Sequence, residues 1–286
     1  MRLLAISDLH VGHRPNREAL AEMPSCPDDW LILAGDIGEN EEHLRLCLDT
    51  FQPRFEKLIW VPGNHELYTT RRDPCQLRGQ ARYRWQVALC QDRGVLTPED
   101  DWPLWPGAGP PTRIAPVFVG YDYSFGPFGL TEPEVVAWAA AGGIRPTDER
   151  LLHSDPYPSR SAWCQARVEL TEARLAAVAS GERLVLVNHY PLRADLVRLF
   201  RIPRFTPWCG TRLTEEWHRR YPIDVVVSGH LHMRATDWRD GVRFEEVALG
   251  YPRHWQADKG IGHYLRQILP RIPVPPGGRG GPIWHR

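Results

Sequence analysis

Lysine is nearly missing from this chain: Lys57 and Lys259 are the only two, and arginine supplies the rest of the 35 basic residues. A charge surplus is missing too, because 35 acidic residues bring the formal net charge to zero. Nucleic-acid binders draw most of their affinity from neutralising phosphates with basic groups. The balance therefore argues against that class and leaves only a local basic patch open. No apolar stretch approaches the roughly 20 residues needed to cross a bilayer, which argues against a membrane protein. The run at 3–6 is too short for a signal-peptide core. No C-x-x-C pair occurs among Cys26, Cys47, Cys75, Cys90, Cys164 and Cys209. A chain of 286 residues buries enough core to need no disulfide staple, so reduced thiols in a cytoplasmic protein are expected. Repeats and a convincing domain linker are absent. One domain over 1–270 is expected, followed by a flexible Pro/Gly-rich tail at 271–286.

Short apolar runs are present and recur at 3–6, 30–34, 58–61, 117–120, 184–187, 225–228 and 244–249. Each is bounded by Gly, Pro, Asp or Asn, as central strands buried on both faces are. Helical spacing occurs at 41–48, 80–91, 134–141, 161–179 and 211–219, with Ser159 or Ser161 as a cap for the longest. The segment 98–116, rich in Pro, Gly and Trp, reads as a long loop. Alternating strands and helices predict α/β layers with functional loops at the strand ends.

The residues at the ends of these runs are chemically distinctive. Ser7-Asp8-Leu9-His10, Gly35-Asp36, Gly63-Asn64-His65-Glu66, Asn188-His189 and Gly229-His230-Leu231-His232 each close a predicted strand. Asp-x-His and His-x-His put two donors on one side of an extended segment. A carboxylate such as Asp36 can bridge two cations. Mixed imidazole and carboxylate donors suit Mn, Fe, Zn or Co better than Mg or Ca. By contrast His13, His43, His153, His218 and His285 stand alone and read as surface or structural residues. Trp102, Trp105 and Trp208 read first as core packing and second as cleft walls. Arg193, Arg198, Arg201 and Arg204 read first as a solvated surface and second as contacts for an anionic partner.

The ordered set D-x-H, G-D, G-N-H-E, a lone His and G-H-x-H resembles the calcineurin-like metallophosphoesterase superfamily. The resemblance spans Asp8 to His232. It implies a four-layer α/β/β/α sandwich and two divalent metal ions, Mn and/or Fe first, with Zn or Co as alternatives. It implies that Asp8, His10, Asp36 and His232 hold one ion, and that Asp36, Asn64, His189 and His230 hold the other. Two such cations clamp a phosphate and lower the pKa of a bridging water, and His65 is expected to protonate the leaving oxygen. The stretch Gly35-Asp36-Ile37-Gly38-Glu39-Asn40 lacks the arginine of the phosphoprotein phosphatases. Neither a capping domain nor a basic surplus suggests the recombination nucleases. Segments including 155–168 (DPYPSRSAWCQARV) and 240–252 (DGVRFEEVALGYP) resemble the actinobacterial phosphopantetheinyl hydrolases. That implies cleavage of 4′-phosphopantetheine from acyl carrier protein. Tyr121, Tyr123 and Arg193 are then expected to touch the substrate, and the arginines beyond His189 to steer an acidic carrier. A cyclic-nucleotide or other small-molecule phosphodiesterase or phosphatase, and a non-catalytic binding scaffold of the same fold, remain the alternatives.

Overall fold

Alternation of side chains along the first strand sets the layering. In β1 (Leu3–Ile6), Leu3 and Ala5 join one buried cluster while Leu4 and Ile6 join another. The computed structural model describes residues 1–71, 73–74, 76–271 and 281–285. The other strands are β2 (Cys26–Leu33), β3 (Phe55–Trp60), β4 (Thr112–Pro116), β5 (Arg183–Val187) and β6 (Ile223–Ser228). Next come β7 (Ala235–Arg239), β8 (Val242–Glu246), β9 (Arg266–Leu269) and β10 (Ile283–Trp284). One sheet has the order β3-β2-β1-β9 and the other β10-β7-β8-β6-β5-β4. The neighbours β1, β2 and β3 are parallel, as are β4, β5, β6 and β8.

Between the sheets lie Leu3, Ala5, Ile32, Ile59, Val185, Val187, Val225 and Val227. The outer face of the first sheet packs on α1 (Arg14–Ala19), α2 (Glu41–Phe51) and α3 (Gly79–Gln91), while α4 (Glu132–Ala141) packs on the 3-10 segment Pro203–Trp208. The outer face of the second packs on α6 (Arg160–Ala176) and α7 (Trp217–Arg220), with the short α5 (Asp148–Leu151) preceding α6. The result is the four-layer α/β/β/α sandwich. Capping chemistry fixes the helix starts: Asn40 accepts from the His43 amide at 2.9 Å, and Ser159 accepts from the Ala162 amide at 3.1 Å.

Several expectations need correction. The apolar run 117–120 lies beyond β4. The Val117 amide still donates to Val187 at 2.8 Å, but Val119 is then held on both its amide and its carbonyl by the Asn188 side chain. A side-chain amide thus replaces the neighbouring strand. The last five residues of the expected loop 98–116 are β4 itself. The expected helix 211–219 splits into a 3-10 turn at Arg212–Thr214 and α7. Of the expected tail, 272–280 and 286 lie outside the described residues. The described part is not a loose end: Ile283 and Trp284 pair antiparallel with β7, and His285 Nε2 lies 2.7 Å from Thr236 Oγ1. Cys26, Cys47, Cys90, Cys164 and Cys209 are free thiols, while Cys75 lies outside the described residues. Among the described residues no helix is long and apolar enough to cross a membrane.

Candidate metal centre

Parallel strands end at one edge, so the residues following β1, β2, β3, β5 and β6 converge there. The pairing of β1 with β2 continues past the strands, because the Asp8 amide donates to Gly35 at 2.8 Å and the His10 amide to Asp36 at 3.0 Å. The two sheets are joined at the same edge. Ser7 donates to Val247 at 3.1 Å, and Leu249 donates back to Ser7 at 2.8 Å. The backbone is strained here: Asp8, His10, Asp36, His230 and His232 have φ of 55°, 43°, 53°, 72° and 53°. Non-glycine residues rarely adopt this left-handed region, and such outliers cluster at functional sites. Gly63 permits the packing, because a Cβ there would stand 2.1 Å from Asp36 Oδ1.

Three overlapping groups of donors gather within 4.8 Å: Asp8, His10 and His232; His10, Asp36 and His65; and Asp36, His189 and His230. His232 Nε2 lies 2.9 Å from Asp8 Oδ1 and 3.0 Å from His10 Nε2. Asp36 Oδ2 lies 3.5 Å from His189 Nε2 and 3.9 Å from the Nε2 of both His10 and His65. Asp36 is the carboxylate common to two of the groups, as a bridging ligand must be.

The donor set fits a pair of divalent cations on grounds beyond proximity. Buried polar atoms are normally hydrogen-bonded, yet Asn64 Oδ1, His189 Nε2 and His230 Nε2 are buried without a partner. Two of the three are aimed by a bond at the other end of the side chain. Asn64 Nδ2 donates to the Tyr68 hydroxyl at 2.9 Å and to Asp148 Oδ1 at 3.2 Å, which leaves its buried carbonyl oxygen as the unpartnered end. His189 Nδ1 is bound to the Ala34 carbonyl at 2.8 Å, which leaves Nε2 for the cluster. His232 is held in the same way, its Nδ1 lying 3.1 Å from His254 Nδ1. Such outer partners fix the orientation of metal-binding imidazoles.

Charge is concentrated at the same place. Burial opposes ionisation of Asp8 and Asp36, but the surrounding imidazoles outweigh it and hold both carboxyls below the usual range. Burial likewise opposes charge on His189 and His65, and the Asp36 carboxylate overrides it, raising them to about 10 and about 9. Burial pushes His10 and His230 down to about 3, with neighbouring imidazoles adding to the effect.

The structure thus brings Asp8, His10, Asp36, Asn64, His65, His189, His230 and His232 together. It does not bring Arg193 to them. The Arg193 guanidinium is taken up by Asp195 at 2.9 Å and by the Glu215 carbonyl at 3.1 Å. Tyr121 and Tyr123 are buried, and the Tyr123 hydroxyl is bound to Glu149 and Arg160. Tyr121 reaches the cluster through Tyr190, whose ring lies 4.9 Å from that of His230. Trp102, Trp105 and Trp208 are buried core residues.

Sequence reasoning missed four supporting residues. Glu66 accepts from the amides of Asp36, Ile37 and Gly63 at 2.9, 2.6 and 2.7 Å, clamping two ligand loops to each other. Its place beside His65 was a usable signal. Glu39 lies 3.3 Å from His65 Nδ1. Tyr251 stacks on His10 with ring centroids 4.4 Å apart. Asp148 sits in the featureless stretch Pro146–Arg150, where only the fold reveals it.

Known proteins share both this sequence and this architecture. Residues 1–234 match the calcineurin-like phosphoesterase family. The chain is 49% identical over 277 residues to the [acyl-carrier-protein] phosphodiesterase PptH of Mycobacterium tuberculosis, covering 96% of this chain and 85% of that protein. The crystal structure of phosphopantetheinyl hydrolase (PptH) from Mycobacterium tuberculosis superposes with a TM-score of 0.90, over 96% of this chain and 98% of that one. With residues 1–234 matched to the family and 96% of the chain aligned to a relative at 49% identity, the chain belongs to the calcineurin-like phosphoesterase family.

Proposed function

We propose that this metal-dependent phosphoester hydrolase is a phosphodiesterase that removes 4′-phosphopantetheine from a serine of acyl carrier protein. The observation that carries the reading is the 49% identity, over 96% of the chain, to a protein described as an acyl-carrier-protein phosphodiesterase. Buried donors left without a hydrogen-bond partner at the strand ends support it. In this reading Asp8, His10, Asp36 and His232 would hold one cation, and Asp36, Asn64, His189 and His230 the other. The imidazole-rich set favours Mn or Fe and also admits Zn or Co. When bound, the pair supplies positive charge to the phosphate oxygens and acidifies coordinated water.

The protein's own groups do the rest. Glu39, against Nδ1, holds the His65 ring so that Nε2 faces the cluster. A serine alkoxide is a poor leaving group and needs a proton, which His65 Nε2 donates as the phosphorus–oxygen bond breaks. The rings of Tyr190 and Tyr251 pack against His230 and His10 and hold those imidazoles in place. The test is intact-mass analysis of holo-acyl carrier protein after incubation with Mn-loaded enzyme, beside cyclic nucleotides and phosphomonoesters. Loss of the phosphopantetheinyl mass is expected. Unchanged carrier mass, with turnover of another ester, would replace this substrate.

A further inference from the structure

Among the described residues, ten large apolar side chains are exposed, and five of them crowd two loops. Phe128 and Leu130 lie on one loop, and Phe200, Ile202 and Leu213 on the segment that follows His189. Phe128 and Phe200 are each 83% exposed, the highest values in the group. The loops are joined from beneath. Phe125 shares a small buried cluster with Leu199, Phe205 and Leu231, and the Thr206 hydroxyl reaches the Phe125 carbonyl. The Arg212 guanidinium stands 4.7 Å from the centre of the Phe128 ring and so links the two loops at the surface. The base of this patch touches the metal cluster itself: Phe205 stacks on His230 at 5.9 Å, and Leu231 lies between His230 and His232. Exposed apolar side chains on two joined loops beside a reaction site mark an interaction surface.

The charge at the patch selects the partner. Asp195 is engaged by Arg193 and Arg239. Glu215 is engaged by the Ala194 amide and Arg212. Glu132 accepts from Ser161, and Glu134 caps its own helix through Thr131. Arg201, between Phe200 and Ile202, is exposed and has no such partner among the described residues. Among the described residues Arg201 is therefore a positive charge without an acidic partner, set between exposed apolar side chains, and is open to a carboxylate on the face of a docked protein.

We propose that the loops bearing Phe128 and Phe200, with Arg201 beside Phe200, dock an acidic carrier protein and hold its modified serine over the metal cluster. This rests on the carrier reading of the function. It assigns recognition of the protein part of the substrate to residues that take no part in hydrolysis.

The test uses the full metal-loaded chain and three variants: Phe128→Ser, Phe200→Ser and Arg201→Glu. Each is assayed on holo-acyl carrier protein and on bis(p-nitrophenyl) phosphate, which has no protein to dock. A rise in KM for the carrier, cutting kcat/KM about ten- to a hundred-fold with the small diester unaffected, is the expected result. Added salt should erode the wild-type advantage and relieve the repulsion that Arg201→Glu introduces, so the two should converge. Unaltered carrier kinetics in all three variants would overturn the docking surface and leave the carrier reading intact. Equal losses on both substrates would also overturn it, by showing that the loops support the site. A wild-type enzyme that leaves holo-carrier untouched would remove the underlying reading and this one with it.

Discussion

The amide of Asn64 has two ends, and Asp148 decides which one is free for the proposed metal centre. Asp148 accepts from Asn64 Nδ2 at 3.2 Å and from the Tyr68 hydroxyl at 2.6 Å, so the Asn64 oxygen is left for a cation. Replacing Asp148 by Asn puts a second amide there and frees Asn64 to turn over. Titration of the apoprotein with Mn should show one site weakened about 10- to 100-fold and the other unaffected. Two unaltered affinities would detach Asp148 from the centre. His65 makes a different prediction, because it is assigned a proton rather than a metal. His65→Ala should keep both cations by elemental analysis and lose about 10²–10⁴ in rate on a serine diester. An aryl diester, whose leaving group needs no proton, should suffer far less. Equal loss on both would move His65 from acid to ligand. At this scale the sequence was informative wherever a residue closes an apolar run, as Asp8, Asp36 and His189 do. It was silent on Asp148, which becomes a neighbour of Asn64 only through folding across 84 positions.

Among the elements, the turn after β3 is where backbone and chemistry are least separable. Gly63 passes so close to Asp36 that a Cβ would meet its Oδ1 at 2.1 Å and its amide nitrogen at 2.7 Å. Gly63→Ala should therefore push the bridging carboxylate away. The expected outcome is a folded protein by circular dichroism that retains less than one equivalent of metal and negligible diesterase activity. Full metal content would show that the loop yields without harm. The strands that carry ligands were legible because each is a run of apolar residues buried on both faces. β7 was not, since Ala-Thr-Asp-Trp-Arg offers no such run and its polar side chains are satisfied internally, Asp237 by Arg198 and Thr236 by Glu245. β10 was hidden for a related reason. Two residues within a Pro/Gly-rich stretch carry no period, and their partner is a distant strand.

On the scale of the molecule, the centre belongs to neither sheet alone. Asp8, His10, Asp36 and Asn64 follow strands of one, and His189, His230 and His232 follow strands of the other. Cations that bind this arrangement bind only the folded chain, so each site at a thousand-fold excess over its dissociation constant adds about 4 kcal/mol of stability. Chelation should therefore abolish activity and lower the melting temperature together, and Mn should restore both. A melting temperature indifferent to chelator would mean that the sheets close without help from metal. The order of the motifs along the chain made the convergence predictable, whereas the docking loops were not, because exposure of Phe128 and Phe200 is a property of the surface. The left-handed backbone at five of the ligand positions also constrains descent. Such a position accepts Gly, Asn or Asp readily and resists Val, Ile or Thr, whatever the fate of the metals. Drift away from hydrolysis is thereby channelled: a relative that has lost the reaction is expected to carry Gly, Asn or Asp at these five positions rather than a β-branched residue.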